Sequence, residues 1–410
     1  MVATSYRLPE GISLTAARSS FRTAITIDHQ QTVLGMDSTT LEHEMKPTHC
    51  FKLVLASLFS LGLTAAEAAP SNVHIYNWYD YIAPDATKNF ERETGIGTIY
   101  DVFDTSEVMQ SKLMAGGSGY DVVVATGDLL PNLIKAGVLK ELDRAHLPNW
   151  KHLDPNLLIK LQANDPGNRY AVPYLWGTTG IGYDRDKVEA ILGPNAPVDS
   201  WDLVFTEENL AKLSQCGVAM IDAPGEIIPI ALNYLGLPHN SQNPRHYRKA
   251  EELLMKVRPY IRYFNSAKFV SDLTNGEICV VIGWAGGVYE AQQTSERNGN
   301  GRKLLYSIPR EGAPIWVENM VLLNDAPHPE AGLSFINYML RPEVIAATSN
   351  FLGYPNANKD ATQLIEQKVR DNPMVYPPKD AIAILFPLQH LPLKLERVRT
   401  RVWSKVKTGQ

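Results

Sequence analysis

The chain has 410 residues, of which 44% are hydrophobic and 20% charged, the composition of an ordinary globular protein. This length is enough for two domains. The formal net charge is −5, and no long lysine or arginine block occurs, which argues against a nucleic-acid-binding protein and is compatible with a cationic small solute. No apolar run of about 20 residues occurs outside the N-terminal region, so we expect no membrane span in the mature chain.

The N-terminal region carries the pattern of a secretory signal peptide at residues 45–68. A basic segment after Met45 is followed by the apolar run LVLASLFSLGL and by small residues. Ala66 and Ala68 fit the small-x-small cleavage pattern, so we expect the mature chain to begin at Ala69 and to be periplasmic. Residues 1–44 are polar and Thr-rich, and they predict a non-native or disordered extension upstream of the true start. The alternative is a disordered extension ahead of an uncleaved apolar segment.

Three cysteines are present, and the first, Cys50, is expected to leave with the signal peptide. Export to an oxidising compartment favours a disulfide between Cys216 and Cys279. Closing a loop of about 60 residues would stabilise the fold by roughly 4 kcal/mol in the chain-entropy model. Two buried free thiols are the alternative.

The first half of the mature chain alternates strand and helix patterns. Val73 and Ile75 alternate with polar residues as in a strand, and the aromatic cluster that follows ends where Pro84 and Asp85 begin a helix. The next segments are a helix at 85–94, a strand at 98–104, a helix with Asp104 and Glu107 as capping box, a strand at 120–126 and a helix capped by Asp128 and ended by Gly137. This order predicts a parallel α/β unit.

The remaining sequence predicts a second α/β lobe and a return to the first. Two short strands are expected on either side of 176–180, where the chain crosses between lobes. The further predicted segments are helices at about 184–192, 206–214, 226–235, 246–257 and 329–340, strands at 217–222, 278–284 and 316–323, and a mostly helical stretch at 342–410.

The sequence lacks the common enzyme signatures, including the phosphate-binding glycine loops, the nucleophile elbow and the zinc protease motif. The ten histidines, His239 and His246 among them, show no ligand spacing, so we predict no metal site and no cofactor. Aromatic residues instead stand near carboxylates where strands end. Trp78 with Asp80 and Trp316 with Glu318 are two such pairs, and such groups together suit an ammonium ion. Packing or capping is the alternative for each residue alone.

Several segments resemble the putrescine-binding periplasmic proteins of bacterial ABC importers: NWYDYIAPD, YDVFD, KLMAGGSGYDVVV, LPNWKHLDP, YAVPYLWGTTGIGYD, ALNYLG, GWAGGVY and RVRTRVWSKVKTG. The resemblance runs from about Val73 to Lys407. It implies an α/β, two-lobed periplasmic binding protein fold of type II with a ligand cleft between lobes joined by crossing segments. Lobe 1 would comprise 71–177 and 304–345, and lobe 2 would comprise 178–303 and 346–410. It also implies the Cys216–Cys279 disulfide, no catalysis and delivery of the solute to a permease in the inner membrane by a protein we expect to be monomeric.

The resemblance implies a set of ligand-binding residues: Trp78, Tyr79, Asp80, Tyr81, Thr126, Glu226, Trp284, Gly287, Trp316, Glu318 and Tyr354. Two positions depart from the family pattern. Gly287 replaces an amine-binding aspartate, and Tyr79 replaces a small hydroxyl residue. A site for a dication requires a carboxylate at each end, so the missing acid at position 287 is informative. We interpret Tyr79 as added bulk beside the gap left at Gly287, which indicates a reshaped pocket.

These residues predict a binding protein for a polyamine such as putrescine. The alternative ligand is an ω-amino acid, 4-aminobutyrate or 5-aminovalerate, because one family carboxylate is Gly287. No arginine or lysine stands at the matched positions to hold its carboxylate. An enzyme on the same scaffold would need a nucleophile–base pair or a cofactor site, and the sequence shows neither. A signalling subunit that senses the same ligand would share the pocket.

The export pattern generates the first testable prediction. Mass spectrometry of the periplasmic fraction should find a protein that begins at Ala69 and that is not alkylated at Cys216 or Cys279 unless a reductant is added. A mature protein that retains residues 1–44, or that alkylates without reductant, would contradict it.

Overall fold

The computed structural model describes residues 72–79 and 81–410, with the exception of the side chain of Glu107. The predicted extension, the predicted signal peptide and Asp80 lie outside the described residues. No helix in the described part of the chain is long and apolar enough to cross a membrane.

Within the described residues, ten strands make up a mixed sheet with helices around it, which confirms the α/β prediction. The strands are β1 (Asn72–Trp78), β2 (Gly97–Phe103), β3 (Val122–Thr126), β4 (Ala171–Asp184), β5 (Val218–Met220), β6 (Ile261–Phe264), β7 (Val280–Trp284), β8 (Leu304–Ser307), β9 (Pro314–Leu322) and β10 (Phe386–Pro387). Their order is β2-β1-β3-β9-β4-β7-β5-β6, with β10 beside β9 and β8 beside β4.

Sixteen α-helices connect or flank these strands within the described residues. They are α1 (Ala86–Thr94), α2 (Ser106–Met114), α3 (Leu130–Lys135), α4 (Pro155–Leu161), α5 (Arg185–Leu192), α6 (Asp202–Phe205), α7 (Glu207–Leu213), α8 (Pro224–Tyr234), α9 (Pro244–Val257), α10 (Lys268–Asn275), α11 (Ala285–Arg297), α12 (Pro329–Met339), α13 (Pro342–Leu352), α14 (Gln367–Arg370), α15 (Lys379–Ala383) and α16 (Leu393–Thr408). The helices predicted between 184 and 257 agree with α5, α7, α8 and α9 to within about two residues.

The first part of the sheet places the ends of three strands together. Strands β1, β2 and β3 are parallel, and β9 runs antiparallel to β3. Alternate residues face opposite sides, so Ile75 and Val122 belong to one core cluster while Tyr76 and Val123 belong to another. Strand β3 is covered on both faces and is apolar up to its last residue, Thr126. The carboxyl ends of β1 and β3 therefore meet at one edge, beside the middle of β9.

The predicted break at 176–180 is wrong, because β4 is one strand of 14 residues that is buried along its whole length. Its first part pairs with β9 and its second part with β7 and β8, so a single strand belongs to both halves of the sheet. The register shifts between Pro173 and Trp176. A Cβ atom at Gly177 would lie 2.3 Å from the ring of Trp316, so this glycine allows the backbone of β4 to approach that ring closely.

The helix caps predicted at Asp104 and Asp128 are also wrong. Helix α2 is capped by Thr105, whose backbone is extended and whose side chain accepts a hydrogen bond from the backbone N–H of Val108. Asp104 therefore lies one residue before the cap. Asp128 lies inside a short 3-10 turn ahead of α3, and α3 has no side-chain cap. The carboxylate of Asp128 therefore does not cap α3.

The second part of the sheet consists of β5 between β6 and β7, all parallel, with β7 antiparallel to β4. Strand β6 and helices α10 and α11 were not predicted from the sequence. The lobe boundaries given above stay a prediction. Part of the stretch assigned to lobe 2 contacts the first part of the sheet, since the hydroxyl of Thr348 in α13 accepts a hydrogen bond from the backbone N–H of Ala83.

The predicted disulfide is present. Cys216 and Cys279 are bonded, with Cα atoms 5.5 Å apart, and they join the position two residues before β5 to the residue directly before β7. Cys279 is fully buried. The bond closes a stretch of 63 residues that includes α8, α9 and α10.

Removing this bond should destabilise the second part of the sheet. Replacing both cysteines by alanine is expected to lower the free energy of unfolding by about 4 kcal/mol, because the unfolded chain regains the freedom that the closed loop denies it. Urea unfolding of the parent and the double variant measures the difference. The parent treated with a reductant is the control and should behave like the variant, whereas equal stabilities of parent and variant would contradict the expectation.

Candidate functional site

The predicted aromatic and acidic residues meet where strands of both parts of the sheet end. Trp78 is the last residue of β1, Thr126 the last of β3 and Trp284 the last of β7. Glu318 lies in β9, directly opposite Thr126 in the strand register. Ligands of open α/β sheets bind at such carboxyl ends, so the position itself marks a candidate site.

Glu318 is a buried acid held by two donors from neighbouring strands. The indole Nε1 of Trp78 donates to its Oε2 at 3.0 Å, and the side chain of Thr126 is its second partner. Burial raises the pKa of Glu318 from 4.5 to about 7, against the two hydrogen bonds, which lower it. The nearby acids Asp128 and Glu226 raise the same pKa further.

Glu226 is a second acid with an equivalent arrangement in the other part of the sheet; the residue is half-buried and its carboxyl group is desolvated. It lies in the first turn of α8, and its carboxylate accepts hydrogen bonds from the hydroxyl of Thr179 and from the indole Nε1 of Trp284 at 3.0 and 3.1 Å. Burial raises its pKa to about 7, while Thr179 and Trp284 lower it and Asp128 raises it. Each acid thus receives one indole N–H from the last residue of a nearby strand.

Neither acid has a basic partner. Among the described residues no salt bridge involves Glu226 or Glu318, and the groups that shift their pKa values include no lysine or arginine. A buried carboxylate without a counter-charge is costly, which is why both pKa values lie well above the ordinary range. A cation placed between them would favour the charged form of both.

Aromatic rings line the space around the acids. Tyr354 packs against Trp316 with ring centroids 5.5 Å apart and against Tyr81 at 5.6 Å. The hydroxyl of Tyr81 and the indole N–H of Trp316 are buried and have no hydrogen-bond partner among the described residues. Burial, followed by the charge of Glu318, raises the pKa of Tyr81 well above its usual value, so its hydroxyl stays protonated and can donate.

The two departures from the family pattern lie in different surroundings. Tyr79 is 65% exposed. Gly287 is buried in the first turn of α11, and a Cβ atom there would lie 2.4 Å from Cζ of Phe269. The ring of Phe269 also packs against Trp284, with centroids 6.3 Å apart. A phenylalanine ring, and not an open gap, therefore occupies the space beside Gly287.

Four polar residues near the acids were not predicted as site residues from the sequence: Thr178, Thr179, Tyr306 and Asp128. Thr178 and Thr179 are fully buried in β4, and the hydroxyl of Thr178 lies 2.7 Å from that of Tyr306. Burial raises the pKa of Asp128, and Arg399 is the strongest group that lowers it. The two threonines could have been found in the sequence, because they are adjacent in a strand with almost no other polar residues. A buried hydroxyl needs a hydrogen-bond partner, so such a pair indicates other polar groups nearby.

A separate surface depression of about 380 Å³ contains none of these residues. It lies beside α1, α12 and α13, and three of its charged groups are paired with one another, since Arg341 contacts both Glu93 and Glu343. The unpaired acids and the aromatic rings make the strand-end cluster the better candidate site.

The raised pKa values predict how stability depends on pH. Glu318 binds a proton in the folded protein below about pH 7 but in the unfolded chain only below about pH 4.5, so its burial destabilises the fold increasingly as pH rises through this window. Glu318→Gln removes that penalty. In the absence of ligand we expect the variant to melt at a higher temperature than the parent at pH 8, and the difference should shrink on going to pH 5. Differential scanning fluorimetry tests this, and a difference that is constant or that grows towards acid pH would contradict it.

Comparison with known proteins gives a consistent result. The family model for bacterial extracellular solute-binding proteins matches residues 85–376. The chain is 64% identical over 360 residues to a putrescine/agmatine-binding protein of Pseudomonas aeruginosa, covering 87% of this chain and 98% of that one. It is 49% identical over 359 residues to the putrescine-binding periplasmic protein PotF of Escherichia coli, covering 87% and 97%.

A solved structure shows the same fold. The spermidine/putrescine substrate-binding protein PotD of Streptococcus pneumoniae superposes with a TM-score of 0.71 at 27% identity, covering 83% of this chain and 99% of that one. The strand-end site, the fold and these relatives together identify the chain as a member of the bacterial extracellular solute-binding proteins, in the group of the periplasmic polyamine-binding proteins of ABC transporters.

Proposed function

We propose that the protein is the periplasmic substrate-binding component of an ABC importer and that its ligand is a putrescine-like diamine. The observation that carries the proposal is the pair of acids Glu226 and Glu318, whose desolvated carboxyl groups have raised pKa values and no basic partner among the described residues. A diamine supplies two positive charges for two such groups. On binding, both carboxyls would ionise and regain the charge partner that burial denies them.

The aromatic residues suit the rest of such a ligand. Trp78 and Trp284 use their indole N–H groups to bind the two acids. Their ring faces can contact the methylene chain of the ligand and make cation–π contacts with its ammonium groups. Tyr81 and Trp316 provide further hydrogen-bond donors. We include Asp80, Thr126 and Tyr354 in the proposed site, and Asp80 comes from the family resemblance alone.

An ω-amino acid is a poorer ligand for this geometry. Its carboxylate would meet Glu226 or Glu318 without a cation nearby, and like charges in a desolvated site repel each other strongly. A guanidinium group is a better second candidate. The Pseudomonas relative is named for agmatine as well as putrescine. A guanidinium presents a planar set of donors that matches a carboxylate, so agmatine belongs beside putrescine in any test.

The wider role follows from the family. We propose export by a signal peptide at residues 45–68, function as a monomer without enzymatic activity, and delivery of the ligand to an inner-membrane permease. The lobes proposed are 71–177 with 304–345 and 178–303 with 346–410. Closure of two such lobes on a ligand buries it, which is how binding proteins of this architecture gain affinity.

The proposal predicts a ligand order and a dependence on the acids. Calorimetric titration should show that putrescine and agmatine bind more tightly than 4-aminobutyrate and 5-aminovalerate. Glu226→Gln, Glu318→Gln and Asp80→Asn should each weaken putrescine binding by about 2 kcal/mol or more, because a buried ammonium loses its charged partner.

Glu141→Gln is the matched control, because Glu141 is an exposed acid already paired with Arg169. It should bind putrescine like the parent. If Glu226→Gln and Glu318→Gln also bind like the parent, the site assignment fails. Tighter binding of 4-aminobutyrate than of putrescine would instead favour the ω-amino acid.

A further inference from the structure

Two histidines far apart in the sequence lie side by side at the opposite end of the sheet from the candidate site. His74 is near the amino end of β1, and His328 immediately precedes α12. Their ring centroids are 5.3 Å apart, and the rings are tilted by 51°. Trp78 lies four residues further along β1, at its carboxyl end.

Hydrogen bonds fix which nitrogen of each ring carries the proton. Nδ1 of His74 lies 2.8 Å from the carbonyl oxygen of Gly119, and Nδ1 of His328 lies 3.3 Å from a carboxylate oxygen of Asp121. A carbonyl or carboxylate oxygen only accepts, so both Nδ1 atoms donate a proton. Each neutral ring therefore keeps the lone pair on Nε2, the nitrogen that a metal ion requires.

The supporting groups match those found around metal-binding histidines. Such histidines usually donate their other N–H to a carboxylate or to a backbone carbonyl, which fixes the ring and makes it a better donor. His328 has the first kind of partner and His74 the second. Asp121 is fully buried, and the backbone N–H groups of His74 and His328 both donate to its carboxylate, so this carboxylate is itself rigidly placed.

The ring separation also agrees with a shared ion. A metal–nitrogen bond of about 2.0–2.1 Å, with roughly 1.1 Å more to the ring centre, puts each centroid about 3.2 Å from the ion. Two rings at a tetrahedral angle would then have centroids about 5.2 Å apart. The observed separation is 5.3 Å.

We propose that His74 and His328 bind a divalent transition-metal ion such as Zn²⁺, Ni²⁺ or Cu²⁺ through their Nε2 atoms, with water completing the coordination. The side chain of His328 is 38% exposed, so an ion has access from solvent. No group of three or more His, Cys, Asp or Glu residues is arranged around a metal in the part of the chain that the structure describes. The site therefore has two protein donors and suits reversible binding.

The donor type selects the ion. Imidazole nitrogen prefers zinc, nickel and copper, whereas magnesium and calcium prefer oxygen ligands. At a site of two imidazoles, Cu²⁺ should bind more tightly than Ni²⁺ or Zn²⁺, and Mg²⁺ should not compete.

The test uses protein without an affinity tag, titrated calorimetrically with ZnCl₂, NiCl₂ and MgCl₂. The parent should bind Zn²⁺ and Ni²⁺ at one site and should not bind Mg²⁺. His74→Gln and His328→Gln should each lower the affinity about tenfold or more, because the ion loses one of two donors. His146→Gln is the matched control, since His146 is an exposed histidine that also bonds to an aspartate but has no second ring beside it, and it should leave the affinity unchanged.

Two further measurements complete the test. Crystals of the parent soaked in ZnCl₂ should give an anomalous scattering peak between the two rings. The shift in melting temperature on adding putrescine should be the same in both histidine variants as in the parent, which shows that they fold and that the metal site is separate from the polyamine site. Unchanged Zn²⁺ affinity in His74→Gln, no binding by the parent, or an anomalous peak elsewhere would overturn the proposal.

Discussion

The structure depends on keeping two carboxyl groups buried without a cation. Glu226 and Glu318 lose their hydration, and their raised pKa values are the direct sign of that cost. The fold offsets part of it with one indole N–H and one hydroxyl for each acid. Those donors stabilise the ionised forms but cannot neutralise them, so the remaining penalty is relieved only by protonation or by a cationic ligand. In the function proposed above, relief of this penalty is what a cationic ligand contributes to binding.

The same construction occurs in both parts of the sheet. Trp78 ends β1 and donates to Glu318, while Trp284 ends β7 and donates to Glu226. The long strand β4 runs through both parts and supplies Thr179 to the second acid. Gly177 in this strand leaves room for the ring of Trp316, so the backbone and an aromatic wall of the site approach closely. The disulfide closes the second part just before the strand that carries Trp284.

The candidate site could be predicted in part because some of its residues are close together in the sequence. An aromatic residue near an acid, at the end of an apolar strand, is visible in the sequence at Trp78 and at Trp316. Thr179 and Tyr306 were missed because their importance depends on neighbours from distant strands. The surroundings of Gly287 could not be predicted for the same reason. The family resemblance implies that an acid is missing at 287, but only the packed structure shows that the ring of Phe269 lies beside this position.

The sequence by itself determined the α/β class, most helices, the apolar strands and the pairing of the two cysteines. These depend on periodicity, on turn residues and on the family resemblance, all of which are read along the chain. Only the tertiary structure decided that β4 is continuous, that Thr105 and not Asp104 caps α2, that two acids with raised pKa values have no basic partner among the described residues, and that His74 lies beside His328. Each of these depends on which distant groups are brought into contact or on how the backbone is oriented at one residue, and local sequence patterns do not specify either.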